Sequence, residues 1–285
     1  MTSQFKTVLL LGLLTGLMLL MGQMLGGKTG LIIAIVLALV MNVGSYWFSD
    51  RIVLSMYNAR AVSPHDAPAL HGMVEELSAR AGIPSPRLYI IPEEAPNAFA
   101  TGRNPEHGVV AVTEGIIRLL SPEELRGVIA HEIGHIKNRD ILVQSIAGVI
   151  GGVIVSAANM LQWGALFGIG GNKDEQEGGG FASSLLMAFL APVAAMLVQM
   201  AISRSREYLA DDTGAGLAAD PKALAGALKK LGMWSGQIPM NSGNQATAHM
   251  FIVNPFSGSR FASLFSTHPP LEERIARLEA MTRPS

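Results

Sequence analysis

Two nearly unbroken apolar stretches, residues 7–26 and 31–48, lie near the N-terminus of the chain. Each is about as long as the roughly 20 residues that a helix needs to cross a bilayer. Residues 26–30 between them contain three glycines and predict a tight turn. The pattern therefore predicts a transmembrane helical hairpin over residues 1–50. The alternative is a cleaved signal peptide followed by a stop-transfer helix. It is disfavoured because the first stretch is long for a signal peptide and no A-x-A-like cleavage site follows it.

Polar and apolar positions are arranged differently from residue 51 to residue 140. The amphipathic stretch 67–81 predicts a helix that ends at Gly82, because glycine commonly terminates helices. Three short aliphatic and β-branched stretches predict strands of a small sheet with hairpin turns, because Pro, Gly and Asn separate them. These strands are residues 87–91, 97–101 and 108–113.

A well-marked helix start follows the predicted strands. Ser121 at the N-cap, Pro122 at the first helical position and Glu124 at the third form a capping box. In such a box the cap side chain and the glutamate satisfy each other's backbone N–H groups. We therefore expect a helix from this point onward.

A second apolar pair, residues 141–166 and 181–202, surrounds a polar linker and predicts a second hydrophobic hairpin over residues 141–202. The alternative is a buried helical pair in a soluble core. Small and polar residues also suit helix packing inside membranes, which favours the hairpin. Residues 203–285 return to a soluble pattern. Helices are expected there from Asp220 to near Gly232 and over residues 271–281.

The composition agrees with a membrane location for part of the chain. Of the 285 residues, 49% are hydrophobic and 15% are charged, which is too apolar for an ordinary soluble domain. The formal net charge of -1 gives no general attraction to nucleic acid. There is no cysteine, so disulfides and thiolate metal sites are excluded. Any metal ion must be held by His, Asp or Glu side chains.

Basic residues are distributed unevenly around the predicted membrane helices. The turn of the first hairpin holds Lys28 alone, and the linker of the second is mostly acidic. The basic residues that flank the soluble parts are Arg51, Arg60, Lys137, Arg139, Arg204 and Arg206. Because positive residues mark the cytoplasmic side, we expect the soluble parts and both termini to be cytoplasmic.

The capped helix carries an H-E-x-x-H motif at residues 131–135. The i,i+4 spacing places His131 and His135 on one helix face, where they can hold one zinc ion. Glu132 lies beside them and is expected to act as the general base that takes a proton from the attacking water. The alternative is a solvated helix face, but the aliphatic residues 127–130 indicate that this helix is buried.

Catalytic zinc sites usually have three protein ligands, so a third is required. Glu207 is the candidate. The predicted antiparallel pair over residues 141–202 begins just after His135 and ends just before Glu207, so it returns both residues to the same face of the membrane. Asp211, one helical turn later, is expected to accept the ring N–H of a ligand histidine and to fix its tautomer. The alternative is an ordinary charged helix surface together with Arg204 and Arg206.

Two further elements are expected near the metal. His268 lies in a rigid Thr-His-Pro-Pro turn, from which it could reach the site and stabilise an oxyanion. The predicted strand of Asn97, Ala98, Phe99, Ala100 and Thr101 could be an edge strand that pairs with the backbone of a peptide substrate. A plain hairpin strand is the alternative. The other histidines carry no comparable signal.

Several motifs together resemble the HtpX family of membrane metalloproteases, which are relatives of the CAAX prenyl endoproteases. The resemblance covers nearly the whole chain. It rests on the N-terminal hairpin and on PNAFATG (96–102), AHEIGHIKNRD (130–140), SRSREYLAD (203–211), AHMFIVNPFSG (248–258) and STHPPLEERIARL (266–278). It implies a gluzincin-like catalytic domain, with His131, His135 and Glu207 as zinc ligands and Glu132 as base.

The resemblance also implies a bacterial inner-membrane, multi-pass protein that cleaves damaged or misassembled membrane proteins during stress. Two alternatives remain: a dedicated processing protease of the prenyl-peptide type, and a non-catalytic membrane protein that binds zinc. The second is disfavoured because structural zinc sites normally have four protein ligands, often cysteines. The oligomeric state and the natural substrates are not indicated by the sequence.

The expected fold is a predominantly α membrane protein with an α+β zincin-like catalytic domain. That domain contains a small β-sheet and active-site helices, and two hydrophobic helical hairpins accompany it. The expected units are residues 1–50 as the first hairpin and 141–202 as the second. Residues 51–140 and 203–285 form the two parts of the catalytic domain, which binds one zinc ion per chain.

Overall fold

The structure is a computed structural model that describes residues 3–147, 149, 204–235, 237, 240, 245–253 and 269–281. Most of the predicted second hairpin, residues 141–202, lies outside these residues, although 141–147 are helical. The described helices are Ser3–Met56, Pro68–Ala81, Glu114–Leu119, Pro122–Lys137, Arg204–Ala218, Pro221–Trp234 and Leu271–Ala280. Short 3₁₀ turns occur at Pro105–His107 and Gln245–Met250. Helices thus predominate, as the sequence predicts.

The N-terminal helix Ser3–Met56 has a kink at Gly27, whose φ of 54° and ψ of -137° suit only glycine well. Its two arms contact each other, since a Cβ atom on Gly30 would lie 2.1 Å from the carbonyl oxygen of Gly22. Asn42 also donates a 2.7 Å hydrogen bond to the Thr15 hydroxyl across the arms. Small residues and polar contacts of this kind are typical of helix packing in membranes.

The second arm of this helix, Gly27–Met56, contains an 18-residue stretch with a mean hydropathy of 2.2 and is long enough to cross a membrane. It is the single candidate membrane span within the described part of the chain. The helix continues beyond the predicted limit at residue 48. Val53 and Leu54 explain this extension, because they are buried in one cluster with residues of the sheet, among them Ile91 and Phe99.

A four-stranded sheet supports the catalytic part. Its strands are β1 (Arg60–Ala61), β2 (Arg87–Ile91), β3 (Ala98–Thr101) and β4 (Val109–Thr113), in the spatial order β1-β2-β4-β3. β2 and β4 are parallel, whereas β3 and β4 are antiparallel. The expectation of simple hairpins is therefore wrong for β2, because β4 inserts between β2 and β3. The two-residue strand β1 is exposed and has no alternating pattern that would predict it.

The motif helix (Pro122–Lys137) begins as the sequence predicts. Glu124 accepts a 2.8 Å hydrogen bond from the Ser121 backbone N–H, and the Ser121 hydroxyl accepts from the Glu124 N–H at 3.3 Å. This capping box stabilises the helix start by about 1 kcal/mol. The fixed start sets the direction in which the H-E-x-x-H residues point.

The hydrophobic core lies between the sheet and the helices. The motif helix contributes Ile129, Ile133 and Ile136, each fully buried, and each contributes about 1.5–3 kcal/mol by leaving water. A second cluster joins the end of the N-terminal helix to β3, where the rings of Tyr57, Phe99 and Phe251 lie 5.1 to 5.6 Å apart. The end of the N-terminal helix is thereby packed directly onto β3.

Candidate active site

His131 and His135 lie on one face of the motif helix, as their spacing predicts. Their Nε2 atoms are 3.2 Å apart, and the planes of the two rings are perpendicular. Both side chains are almost fully buried. Two imidazole nitrogens that converge inside the protein are suited to bind one cation rather than water.

Glu207 lies on the carboxylate helix (Arg204–Ala218), which packs against the motif helix. Its Oε1 atom is 3.5 Å from Nε2 of His135, and its Oε2 atom is 3.9 Å from Nε2 of His131. The ligand atoms of all three residues lie within 4.8 Å of one another. The structure thus brings together the three residues that the sequence analysis selected.

This donor set fits a divalent metal ion. Ligand atoms at about 2.1 Å from a tetrahedral ion are roughly 3.4 Å apart, which is close to the 3.2 to 3.9 Å separations observed here. Two imidazoles and a carboxylate also form the His₂Glu set of catalytic zinc sites. His131, His135 and Glu207 are therefore the residues that could hold the ion.

Each ligand histidine has a carboxylate at its other ring nitrogen. Asp211 Oδ1 lies 2.9 Å from Nδ1 of His131, and Asp140 Oδ2 lies 3.5 Å from Nδ1 of His135. Such partners orient the ring and fix the tautomer. The sequence analysis named Asp211 but missed Asp140. The sequence Asn138-Arg139-Asp140, which directly follows the motif helix, could have indicated it. Arg139 has a φ of 60°, so the chain turns at this point.

A buried arginine was also missed. Arg274 on the C-terminal helix (Leu271–Ala280) is 1% exposed and donates two 2.8 Å hydrogen bonds to Asp211. The motif around it was recognised and a helix was expected there, but no role was assigned to this side chain. His268, in the same motif, lies outside the described residues.

The charges around the site shift several pKa values. Burial raises the pKa of Glu132 to about 7, although His135 opposes the shift and the Ala100 backbone N–H bonds to the carboxylate. Burial also lowers the pKa of His131. For His135, Glu207 and Asp140 outweigh burial and raise its pKa to about 9. A bound cation would lower these values, because it favours the deprotonated forms.

β3 is an edge strand of the described sheet, with all four residues buried, and it lies beside the motif helix. The strand starts at Ala98, one residue later than predicted, although Asn97 still pairs with Thr113 by a 2.9 Å hydrogen bond. Its outer side is partly occupied, because the Ile252 N–H donates to the Ala98 carbonyl at 3.1 Å. On this strand the Ala100 backbone N–H bonds to the Glu132 carboxylate, and the Thr101 hydroxyl lies 2.7 Å from the Ser145 hydroxyl.

An H-E-x-x-H helix, a carboxylate from a separate helix that could be the third metal ligand, and an adjacent edge strand are together the features of a metalloprotease. The comparisons with known proteins agree with this class. The model of peptidase family M48 matches residues 64–282. The chain belongs to peptidase family M48, and within that family it is an HtpX-type protease, as the resemblance implied.

Two relatives named "Protease HtpX homolog" illustrate the similarity. The one from Syntrophobacter fumaroxidans is 60% identical over 99% of this chain and 100% of its own length. The one from Pyrococcus furiosus is 56% identical over 96% of this chain and 94% of its own. The family, together with the apolar helix Gly27–Met56, identifies a membrane metalloprotease.

A solved structure shares the fold. The crystal structure of S. mikatae Ste24p aligns with 97% of this chain at a TM-score of 0.52 and 18% identity. The chain spans 65% of the length of that protein. At this identity the likeness establishes the architecture alone, and it agrees with the expected relation to the CAAX proteases.

Proposed function

We propose that the chain is a zinc-dependent endopeptidase that binds one Zn²⁺ through His131, His135 and Glu207. The observation that carries this proposal is the convergence of three ligand atoms within 4.8 Å beside the buried carboxylate of Glu132. Zinc is favoured over harder cations because two of the three donors are imidazole nitrogens. When bound, zinc supplies a Lewis acid that polarises a peptide carbonyl.

Glu132 is the proposed general base. Burial raises its pKa to about 7 in the metal-free protein, and a bound cation would favour the deprotonated carboxylate, which is the form that accepts a proton. The carboxylate takes the proton of the attacking water and then gives it to the leaving amine. Asp211 and Asp140 hold the two imidazole rings in position, and His268 is proposed to stabilise the oxyanion.

We also propose that the backbone of residues 97–101 binds an extended substrate by strand addition. The position of β3 at the sheet edge beside the motif helix supports this role. Main-chain pairing requires little from the substrate side chains, so it suits a protease of broad specificity. Misfolded or damaged membrane proteins are the proposed substrates, as part of quality control and the stress response.

The proposed location is the bacterial inner membrane, with the catalytic site facing the cytoplasm. Residues 1–50 and 141–202 are proposed to form the two membrane hairpins, and residues 51–140 and 203–285 the two parts of the catalytic domain. The HtpX-type relatives and the basic residues that flank the soluble parts support this arrangement.

The decisive experiment replaces Glu132 with Gln in the full chain, purified in detergent. We expect casein cleavage to fall by at least two orders of magnitude, the usual contribution of a general base, while the zinc content stays at one per chain. Glu123→Gln is the matched control, because Glu123 lies on the same helix at its exposed end. Unchanged cleavage by Glu132→Gln would refute the mechanism.

A further inference from the structure

Arg274 is a charged side chain that has no part in the mechanism proposed above. It is 1% exposed, and it reaches the site from the C-terminal helix. Its Nε and Nη2 atoms donate to the two oxygens of Asp211, each at 2.8 Å. Its Nη1 atom donates to the Ile252 carbonyl at 3.0 Å and lies 3.7 Å from Oε2 of Glu207.

Burial of a guanidinium group is costly, and a buried ion pair is weak as a source of net stability. An arginine therefore does not belong in this core for packing reasons alone. Its planar fork differs from an ammonium group because it binds both oxygens of one carboxylate in a fixed orientation. The distances to Asp211 show this two-point geometry.

The fixed carboxylate in turn contacts a metal-ligand histidine. Oδ1 of Asp211 accepts from Arg274 and also lies 2.9 Å from Nδ1 of His131. The orientation of Asp211 thus sets the rotation of the His131 ring and the direction of its Nε2 atom. The guanidinium charge also offsets the nearby acidic side chains, so the three ligands can approach one another.

The other arm of the guanidinium leads to the strand beside the site. The Ile252 carbonyl accepts from Arg274, and the Ile252 N–H donates to the Ala98 carbonyl of β3. Asn97 holds the next residue, because its side-chain amide donates to the Val253 carbonyl at 2.7 Å. One side chain therefore connects the metal-ligand side of the site with the proposed substrate strand.

We propose that Arg274 is a positioning residue that orients Asp211, and through it His131, for metal binding, while it holds the Ile252 backbone against β3. This inference rests on the proposed metal site. It assigns the residue a role in metal affinity and in the geometry of the ligands, not a contact with the substrate or the reacting atoms.

The test is a Co²⁺ titration of the full metal-free chain in detergent, followed by visible absorption. Arg274→Lys keeps the positive charge but removes the fork. We expect Co²⁺ to bind about tenfold more weakly, since loss of an outer-shell partner typically weakens metal affinity 10–100-fold. The absorption band of bound Co²⁺ should also shift, because the ligand geometry changes.

The control is Arg277→Gln. Arg277 lies on the same helix, and its contact with Asp212 at 3.4 Å is the exposed counterpart of the buried Arg274 pair. This variant should bind Co²⁺ like the wild type. Circular dichroism of every variant establishes that the comparison is made between folded proteins.

A double-mutant cycle separates positioning from a general structural effect. If Arg274 acts through Asp211, Arg274→Lys should weaken Co²⁺ binding far less in an Asp211→Asn background than in the wild type. An equal loss in both backgrounds, or wild-type affinity and spectrum in Arg274→Lys alone, would overturn the inference. A wild-type chain that binds no Co²⁺ would instead refute the proposed metal site, and the inference with it.

Discussion

Gly214 packs its backbone directly against the backbone of His131. A Cβ atom at Gly214 would lie 2.7 Å from the His131 nitrogen and 2.8 Å from its Cα, which is closer than real side-chain contacts allow. The motif helix and the carboxylate helix can therefore approach closely only because residue 214 has no side chain. This approach places Glu207 within reach of both histidines.

Gly214→Ala should push the two helices apart. We expect a loss of about 1–3 kcal/mol in unfolding free energy, typical of overpacking, together with weaker zinc binding because Glu207 moves away. Gly216→Ala is the control, since a Cβ at this exposed position of the same helix meets nothing within 4 Å. It should be neutral or stabilising by up to about 1 kcal/mol. Thermal unfolding and zinc titration measure both effects, and equal behaviour of the two variants would contradict the packing argument.

Glu207→Ala should remove one of three metal ligands while the fold remains. We expect zinc content after dialysis to fall well below one per chain, and proteolysis to fall with it, because two imidazoles hold the ion less tightly. Asp212→Ala is the comparison, since Asp212 lies on the same helix with a side chain that is 44% exposed. Metal analysis of both proteins decides the matter, and a full zinc content in Glu207→Ala would show that another residue is the third ligand.

Local parts of the fold and site could be predicted from the sequence, because short-range chemistry determines them. The capping box of Ser121 and Glu124 fixes a helix start within four residues. The i,i+4 spacing of His131 and His135 determines that both imidazoles share a face, whatever the rest of the chain does. Glu207 could be selected because Asp211 follows it at the same i,i+4 spacing, which places the two carboxylates on one face of their helix.

Contacts between distant segments could not be predicted in the same way. Arg274 reads as an exposed residue of an amphipathic helix, and only the packing of that helix against distant segments of the chain buries it. The parallel pairing of β2 with β4 likewise depends on the insertion of one strand between two others, which alternation along each strand does not encode. Asp140 was missed because it lies beyond the end of the motif helix. Its contact with His135 depends on how the chain turns there, and helical spacing does not predict that turn.

Zinc binding should depend on pH through His135. Its pKa in the metal-free protein is raised to about 9, and a ligand imidazole must be neutral. Between pH 7 and pH 9 the metal must therefore displace a proton from His135, so the apparent affinity should rise about tenfold per pH unit and level off above pH 9, with a steeper rise below pH 7, where Glu132 is also protonated. His131 contributes little to this dependence, because burial lowers its pKa. Calorimetry in two buffers with different ionisation enthalpies should give about one proton released per zinc at pH 8.

Asp140→Asn provides the check on this assignment. Asp140 is one of the carboxylates that raise the pKa of His135, so its neutralisation should move the plateau of zinc affinity to lower pH. Asp66→Asn serves as a remote control, because Asp66 is exposed and contacts Ser63 rather than the site. A proton release at pH 8 that is the same in all three proteins would mean that His135 is not the titrating ligand.

The orientation of the chain in the membrane can be tested by cysteine labelling, because the natural sequence contains no cysteine and each introduced thiol is unique. Lys28→Cys places a thiol in the exposed turn after Gly27, and His65→Cys places one in the catalytic part, where the side chain is 99% exposed. If the catalytic part faces the cytoplasm, a membrane-impermeant maleimide should label residue 28 in intact spheroplasts and residue 65 only after lysis. Both positions should react in detergent, which excludes burial as the cause of protection. Labelling of residue 65 alone in intact spheroplasts would reverse the proposed orientation, and labelling of both positions would mean that Gly27–Met56 does not cross the bilayer.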